Sequence, residues 1–370
     1  MLPDRVSVQW LIKGLGAGGA EQLLLSTVRS ADRDRFRFLV AHVFDHKDQL
    51  VAPLLAEGVT VTSLGARRTL DPRWVLALRR HIRRATPDLI HVHSPLVAAV
   101  TRLIVRTIRH RPPVVTTEHN TWAAYGRLTR LANHLTFRLD DAHLAVSEGV
   151  RRSMPPAFRD ITEVIVHGVE LDSIAAQRTE REKVRLELGI GPEQIVICTV
   201  ANLRWHKGYP DLMAAAKMVI DNGCDVVFLA VGQGPLEAEI RSRHQELGLG
   251  QQFRLLGYRA DAIRVLAGSD IFVLASLEEG YPIALMEALA IGLPVVATAV
   301  GGVPDAVRNG VEGFVVDRAD PRGLAEALIV LAKSQELRSS MASAAEARAR
   351  QFDISRAVRR TTEIYEALLS

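Results

Sequence analysis

Leu277–Val307 reads LEEGYPIALMEALAIGLPVVATAVGGVPDAV, and its punctuation decides how this chain folds. Gly280 and Pro282 make a turn that opens an apolar helix. Gly292 and Pro294 end that helix, and Val295–Thr298 follows as a buried strand running into the Gly301-Gly302 pair. A helix entered after such a turn presents unpaired backbone N–H groups and the positive end of its dipole, which suits a diphosphate. Glu279 stands before the turn and Glu287 about two turns into the helix, so the two carboxylates are placed to grip hydroxyls on opposite sides of bound phosphates. Two glutamates on a surface helix are more often simply solvated; the glycines and prolines around them favour a ligand site. The run 288–304 is apolar enough to mimic a membrane span, yet Gly292, Pro294, Thr298 and the paired glycines interrupt it.

Outward from this segment, strand-like apolar runs alternate with helical patterns: 6–12, 36–44, 59–64, 88–93, 114–119, 143–147 and 164–167. After a charged helical stretch at 178–188 a second series follows: 195–203, 226–231, 253–256, 271–276, 295–298 and 314–316. Such alternation predicts parallel sheets with helices on both faces. A chain of 370 residues exceeds one ordinary core. The expected α/β architecture is therefore two doubly wound Rossmann-like domains facing a central cleft, with the ligand beyond the carboxyl ends of the strands. The boundary falls near 168–173, giving a first domain 1–168 and a second domain 169–353.

Hydrophobic residues at 48% and charged residues at 24% indicate globular folding without long disorder. Cys198 and Cys224 make no disulfide framework and read as free thiols of a reducing cytoplasm. MLPDRVSVQWLIKG lacks a long apolar core and a cleavage site, so no secretory signal is expected and the protein is placed in the cytoplasm. Net charge is +4, with much of the basic excess in 74–84 (WVLALRRHIRR) and 102–111 (RLIVRTIRHR), both helix-patterned. These stretches read equally as helices on an anionic membrane surface or as solvated outer helices. No nucleic-acid partner is expected.

Several strand ends carry chemistry. Gly14, Gly16 and Gly19 satisfy a dinucleotide spacing, with Asp45 as a ribose acceptor, so an NAD(P)-dependent oxidoreductase is a competing reading; Asp45 lies farther on than the usual interval. His91, His93 and Ser94 end one strand, and Glu118, His119 and Asn120 the next, where they suit hydrogen bonding to a substrate. Zinc on His91, His93 and His119 is weighed and set aside, because two of the three share one strand and no further ligand set can be read. No Asp-x-Asp loop reads as a convincing metal motif, in keeping with a reaction that needs no metal or other cofactor.

The Glu279–Glu287 segment resembles the donor-site signature of family 4 retaining glycosyltransferases of the GT-B fold, and the resemblance extends over almost the whole chain. It implies a final helix, about 354–370, crossing back to the first domain. It assigns Glu279 to sugar hydroxyls, Glu287 to ribose hydroxyls, and the backbone of Pro282, Ile283 and Ala284 to the diphosphate. The Gly18-Gly19-Ala20-Glu21 loop resembles the family loop that closes over donor phosphates and acceptor. Asn202–Gly208 is similar to the segment whose cations neutralise the diphosphate: Lys207 matches, Asn202 stands where many relatives have arginine, and Arg204 lies two residues on. Gly232 and Gly257 match turns near the nucleotide, and His119 matches a histidine near the anomeric centre. His93, Ser94 and Glu118 are placed on the acceptor side. His167-Gly168-Val169-Glu170 departs from the family's Asn-Gly-Val-Asp. What the resemblance implies is retaining, metal-independent transfer of a hexose-type sugar from a nucleotide diphosphate-sugar to an acceptor hydroxyl, the acceptor being a sugar or lipid-linked glycan of surface polysaccharide assembly. No carboxylate pair is arranged as nucleophile and acid. A sugar-nucleotide epimerase on the same architecture is the other alternative.

Overall fold

Runs of β-branched and aliphatic residues, each ending in a glycine or polar turn, become strands. The computed structural model describes residues 5–16, 18–67 and 71–370; Met1–Asp4, where the reading of the N-terminus begins, and Ala17 of the glycine loop lie outside these. One sheet contains β1 (Val6–Ile12), β2 (Phe36–Phe44), β3 (Thr60–Ala66), β4 (Leu89–Val92), β5 (Val114–Glu118), β6 (Ala142–Ala145) and β7 (Thr162–Val164), in the order β3-β2-β1-β4-β5-β6-β7. The other contains β8 (Ile195–Val200), β9 (Val226–Val231), β10 (Phe253–Gly257), β11 (Ile271–Leu274), β12 (Val295–Thr298) and β13 (Gly313–Val316), in the order β10-β9-β8-β11-β12-β13. All pairings are parallel. The strand order reverses between β1 and β4 in the first sheet and between β8 and β11 in the second. Those are the switch points at which doubly wound sheets bind ligands.

The chain divides into two units, Met1–Gly168 with Ile354–Ser370, and Val169–Asp353. Strands buried on both faces read as unbroken apolar runs, and β9, VVFLAV, is buried at every position. The core of the second unit joins Phe228 and Phe253 of the sheet to Leu212, Met213 and Leu328 of covering helices. Each such side chain contributes about 1.5–3 kcal/mol on full burial.

Helix Ile354–Leu369 belongs to the first unit and packs against helix Gly19–Ser30. It buries Ile354, Val358 and Tyr365. Ala357, Ile364, Leu368 and Leu369, the apolar set legible in the sequence, are only half-buried. The last strand of the first run and the first strand of the second also shift: β7 ends at Val164, leaving His167 in the loop beyond it, and β8 ends at Val200.

The basic stretches have different fates. Helix Arg73–Ala85 buries Trp74, Leu78 and Ile82 and exposes Arg79, Arg80, Arg83 and Arg84. The 102–111 stretch is not a basic helix. Helix Pro95–Val105 ends inside it, and Arg102 is wholly buried. A buried guanidinium must be paired: Nε and Nη2 donate to the two Asp140 carboxylate oxygens at 2.7 and 2.6 Å, and Nη1 donates to Asn133 Oδ1 at 2.6 Å. Arg106 donates to the Leu139 carbonyl and Arg111 pairs with Asp141 at 2.8 Å. Of the arginines in this stretch only Arg102 is internal; Arg106, Arg109 and Arg111 are exposed.

Candidate functional site

In the second unit the loops at the carboxyl ends of the strands form one bonded edge. The loop after β8 carries Asn202, Arg204 and Lys207, and the loop after the neighbouring β11 carries Ser276 and Glu279. Lys207 Nζ lies 2.6 Å from Glu279 Oε1, which also accepts from Ser276 Oγ at 2.7 Å. Glu279 is 8% exposed, and its Oε2 has no hydrogen-bond partner among the described residues. The carboxylate thus has one anchored oxygen and one left for a ligand hydroxyl. Backbone bonds hold the loops together: Leu277 N donates to the His206 carbonyl at 2.7 Å, Leu203 N to Gln233 at 3.0 Å, and Gly232 N to Gly257 at 2.9 Å.

Glycine is required where these loops touch. Gly208, at φ +63°, follows Lys207 directly, and a Cβ there would strike the Ala275 carbonyl. Gly301, at φ +55°, abuts the Glu279 carbonyl, while Gly302 N donates to the Gly280 carbonyl at 2.8 Å. The paired glycines of the opening segment therefore brace the loop that aims Glu279.

Helix Ile283–Ile291 begins after Pro282, so the Ile283 and Ala284 amides have no intrahelical acceptor. Glu287, in the second turn, is half-buried and makes no hydrogen bond or ion pair among the described residues. Burial lifts its carboxyl from 4.5 to about 7. Arg204 is exposed with no side-chain partner, and Asn202 is half-buried. The site thus combines a cation, an anchored carboxylate, an unpartnered carboxylate and open helix amides. This combination suits a phosphorylated, hydroxyl-rich ligand.

The carboxyl edge of the first sheet carries His93, Ser94 and His119, with His167 in the loop after β7. His93 Nδ1 is 3.0 Å from His119 Nε2, and His119 Nδ1 is 3.3 Å from His167 Nε2. Both nitrogens of His119 are therefore occupied, and contact with a sugar requires exchange of one of these bonds. Ser94 Oγ accepts from Lys13 N at 3.0 Å. Glu118 departs from its acceptor-side assignment: it is 1% exposed, and Asn133 and Tyr125 each donate to it at 2.7 Å. Burial raises its carboxyl, opposed by those hydrogen bonds. Gly18 caps helix Gly19–Ser30, whose first residue, Gly19, is exposed. Asp45 of the oxidoreductase reading accepts from Ser63 Oγ.

Sequence reasoning missed Ser276, which carries no motif, and Tyr365. The Tyr365 hydroxyl accepts from Trp10 Nε1 at 3.3 Å and sits 2.5 Å from His91 Nδ1, while His91 Nε2 is 2.7 Å from Thr117 Oγ1. Accepting from Trp10 leaves the phenol proton for His91 Nδ1, so His91 Nε2 donates to Thr117. A cavity of about 40 Å³ adjoins Trp10, His91, His93, His167 and Tyr365, and buried His93 Nε2 has no partner. Among the described residues no group of three His, Cys, Asp or Glu is placed to hold a metal.

Burial pushes His91 down to about 3 and His119 to about 4, and holds His93 and His167 well below 6.5. Neighbouring imidazoles add to the effect for His91, His93 and His167. These depressed values leave stability unaffected above about 6.5, where folded and unfolded histidines are both neutral. As pH falls from 6.5 toward 4 only the unfolded chain takes up protons, at about 1.4 kcal/mol per group per pH unit. The denaturant midpoint is therefore expected to fall steeply between pH 7 and 5, and less steeply in His167→Asn. A flat midpoint over that interval would contradict the neutral histidine chain.

Two parallel-sheet Rossmann-like units, one with a cation–carboxylate pair at its switch point, define the GT-B class of fold. A model of Glycosyl transferases group 1 matches residues 180–348, and a model of Glycosyltransferase Family 4 matches residues 17–173. The chain belongs to the family 4 glycosyltransferases. It is 27% identical over 263 residues to the N-acetyl-alpha-D-glucosaminyl L-malate synthase of Bacillus anthracis, covering 70% of this chain and 68% of that protein. It is 29% identical to the UDP-Gal:alpha-D-GlcNAc-diphosphoundecaprenol alpha-1,3-galactosyltransferase of Escherichia coli, covering 70% of each. Anabaena HepE, crystallised with UDP and glucose, shares the fold at a TM-score of 0.86 and 23% identity, over 98% of this chain and all of HepE. The oxidoreductase and epimerase alternatives yield to a glycosyltransferase.

Proposed function

We infer that this enzyme moves a sugar from a nucleoside diphosphate-sugar to an acceptor hydroxyl with retention and without a metal. The observation that carries the reading is the Lys207–Glu279 pair at the ends of adjacent strands, beside open helix amides and the unpartnered Glu287. In this scheme the anomeric C–O bond to the diphosphate breaks as an acceptor oxygen bonds to the same face, and the acceptor proton passes to the departing phosphate. Lys207 and the 283–284 amides offset the charge that builds on the diphosphate. Glu279 holds sugar hydroxyls and Glu287 the ribose. The contact of His119 with the donor sugar involves a neutral ring that has exchanged one histidine partner. The acceptor is a lipid-linked glycan, in line with the diphosphoundecaprenol acceptor in the name of the Escherichia coli relative, and the enzyme works at an anionic membrane surface from the cytoplasm. No helix among the described residues is long and apolar enough to cross a membrane.

A thermal-shift screen of UDP- and GDP-sugars tests the donor assignment. A donor at 100 times its dissociation constant stabilises by about 2.7 kcal/mol, and slow hydrolysis should release nucleoside diphosphate. Protection by a nicotinamide cofactor but by no nucleotide sugar would overturn the reading, and interconversion of the donor sugar without release would point to epimerisation.

A further inference from the structure

Helix Arg127–Thr136 of the first unit leaves its outward face bare. Leu128, Leu131 and Leu135 are 81%, 55% and 72% exposed. At spacings of three and four they form one stripe, while Asn133 and Thr136 turn inward. Single exposed leucines are ordinary, but three in register along one helix are an uncovered apolar surface. Beside the stripe Arg127, Arg130 and His134 are exposed, and the arginine side chains make no hydrogen bond or ion pair among the described residues. Arg138 is exposed in the turn that follows.

Charge identifies what covers this face. From Leu89 to Leu139 the sole acid is Glu118, which is buried with both oxygens bonded, so no carboxylate of that stretch balances the exposed arginines. A leucine stripe beside a cationic row suits the boundary between phosphates and acyl chains: leucines enter the apolar layer while guanidinium groups remain at the phosphates. Helix Arg73–Ala85 differs in kind. It offers five exposed arginines, of which Arg73 is paired with Asp71, but only Leu76 as a large exposed apolar side chain, which gives electrostatic attraction without an inserted stripe.

We propose that helix Arg127–Thr136 docks the first unit on an anionic lipid bilayer through Leu128, Leu131 and Leu135, with Arg127 and Arg130 on the headgroups. This deepens the membrane-surface reading above and rests on it. The whole chain is sedimented with vesicles of phosphatidylcholine alone and of phosphatidylcholine with phosphatidylglycerol. Binding is expected only with the anionic lipid, and stronger at low salt, where the screening length is about 30 Å at 0.01 M against about 3 Å at 1 M. The Leu128→Gln/Leu131→Gln/Leu135→Gln variant should lose about tenfold or more in partitioning, and Arg127→Gln/Arg130→Gln about fivefold per arginine. Both sets of side chains are exposed, so melting temperature and nucleotide-sugar protection should match wild type. The single Leu128→Gln variant, with a smaller loss, serves if the triple variant misfolds.

Wild-type partitioning by the leucine variants overturns the proposal. If Arg79→Gln/Arg80→Gln/Arg83→Gln/Arg84→Gln abolishes binding while the leucine variants bind normally, the membrane reading stands and this helix is not the docking element. Failure of the wild-type chain to bind anionic vesicles overturns both. A leucine variant that converts a dimer to a monomer without changing vesicle binding assigns the stripe to a second copy of the chain and also overturns it.

Discussion

Lys207→Ala is expected to lower kcat by about 10²–10³-fold, while donor affinity changes far less. The ammonium sits 2.6 Å from Glu279 at the switch point. A charge there does most for the state in which the diphosphate departs, since negative charge on the leaving group is largest then. The substitution also leaves Glu279, 8% exposed, with Ser276 as its remaining partner, so a stability loss of about 1–3 kcal/mol accompanies it. Single-turnover transfer and calorimetric donor binding separate the two effects. A Lys207→Ala enzyme with a wild-type single-turnover rate would remove the lysine from the leaving-group role. In a double-mutant cycle with Glu279→Gln the stability losses should be non-additive, because the side chains touch.

Glu287→Gln is expected to make the protein more stable and the enzyme worse. The Glu287 carboxyl is raised to about 7 by burial alone, so near neutral pH the folded state retains a proton that the unfolded chain has released. The resulting cost is small below pH 4.5, grows as pH rises toward 7, and is complete above that value. At pH 8 the neutral amide should stabilise the fold by about 1–3 kcal/mol. Donor binding should weaken by about ten- to a hundredfold, the loss expected for a charge-assisted hydrogen bond to a ribose hydroxyl. Wild-type donor affinity should rise between pH 6 and 8 as the carboxylate forms, and the variant should show no such rise. Denaturant melts at pH 5 and pH 8 with donor titrations decide the matter: unchanged stability at pH 8 would mean that Glu287 carries no burial cost.

The fold class was legible because its signals are local. β9 and β12 are apolar runs ended by turn residues, and both form with the predicted bounds. Strand ends read as longer, such as 195–203, were extended by apolar Ala201 and Leu203; these are buried in the loop, where Leu203 N bonds to Gln233 instead of continuing the ladder. Arg102–Arg111 misled for the opposite reason. Its apolar residues have helical spacing, but Pro112-Pro113 lies just ahead and the helix stops at Val105.

The sequence by itself determined the doubly wound α/β architecture, the turn that opens helix Ile283–Ile291 and the family, since each follows from short-range pattern and ordered motifs. Only the tertiary structure decided which polar groups meet. Arg102 is an internal ion-pair partner, not a surface charge, because Asp140 lies in reach. Glu118 is buried because Asn133 and Tyr125 satisfy it. Tyr365, far along the chain, joins His91, and His93, His119 and His167 are linked through their ring nitrogens into a chain. Burial of a polar side chain depends on a partner distant in sequence, and no periodicity encodes that partner. The same holds for the opening segment: its glycines and glutamates mark a site, but the contact of Glu279 with Lys207 exists because parallel pairing puts β8 beside β11.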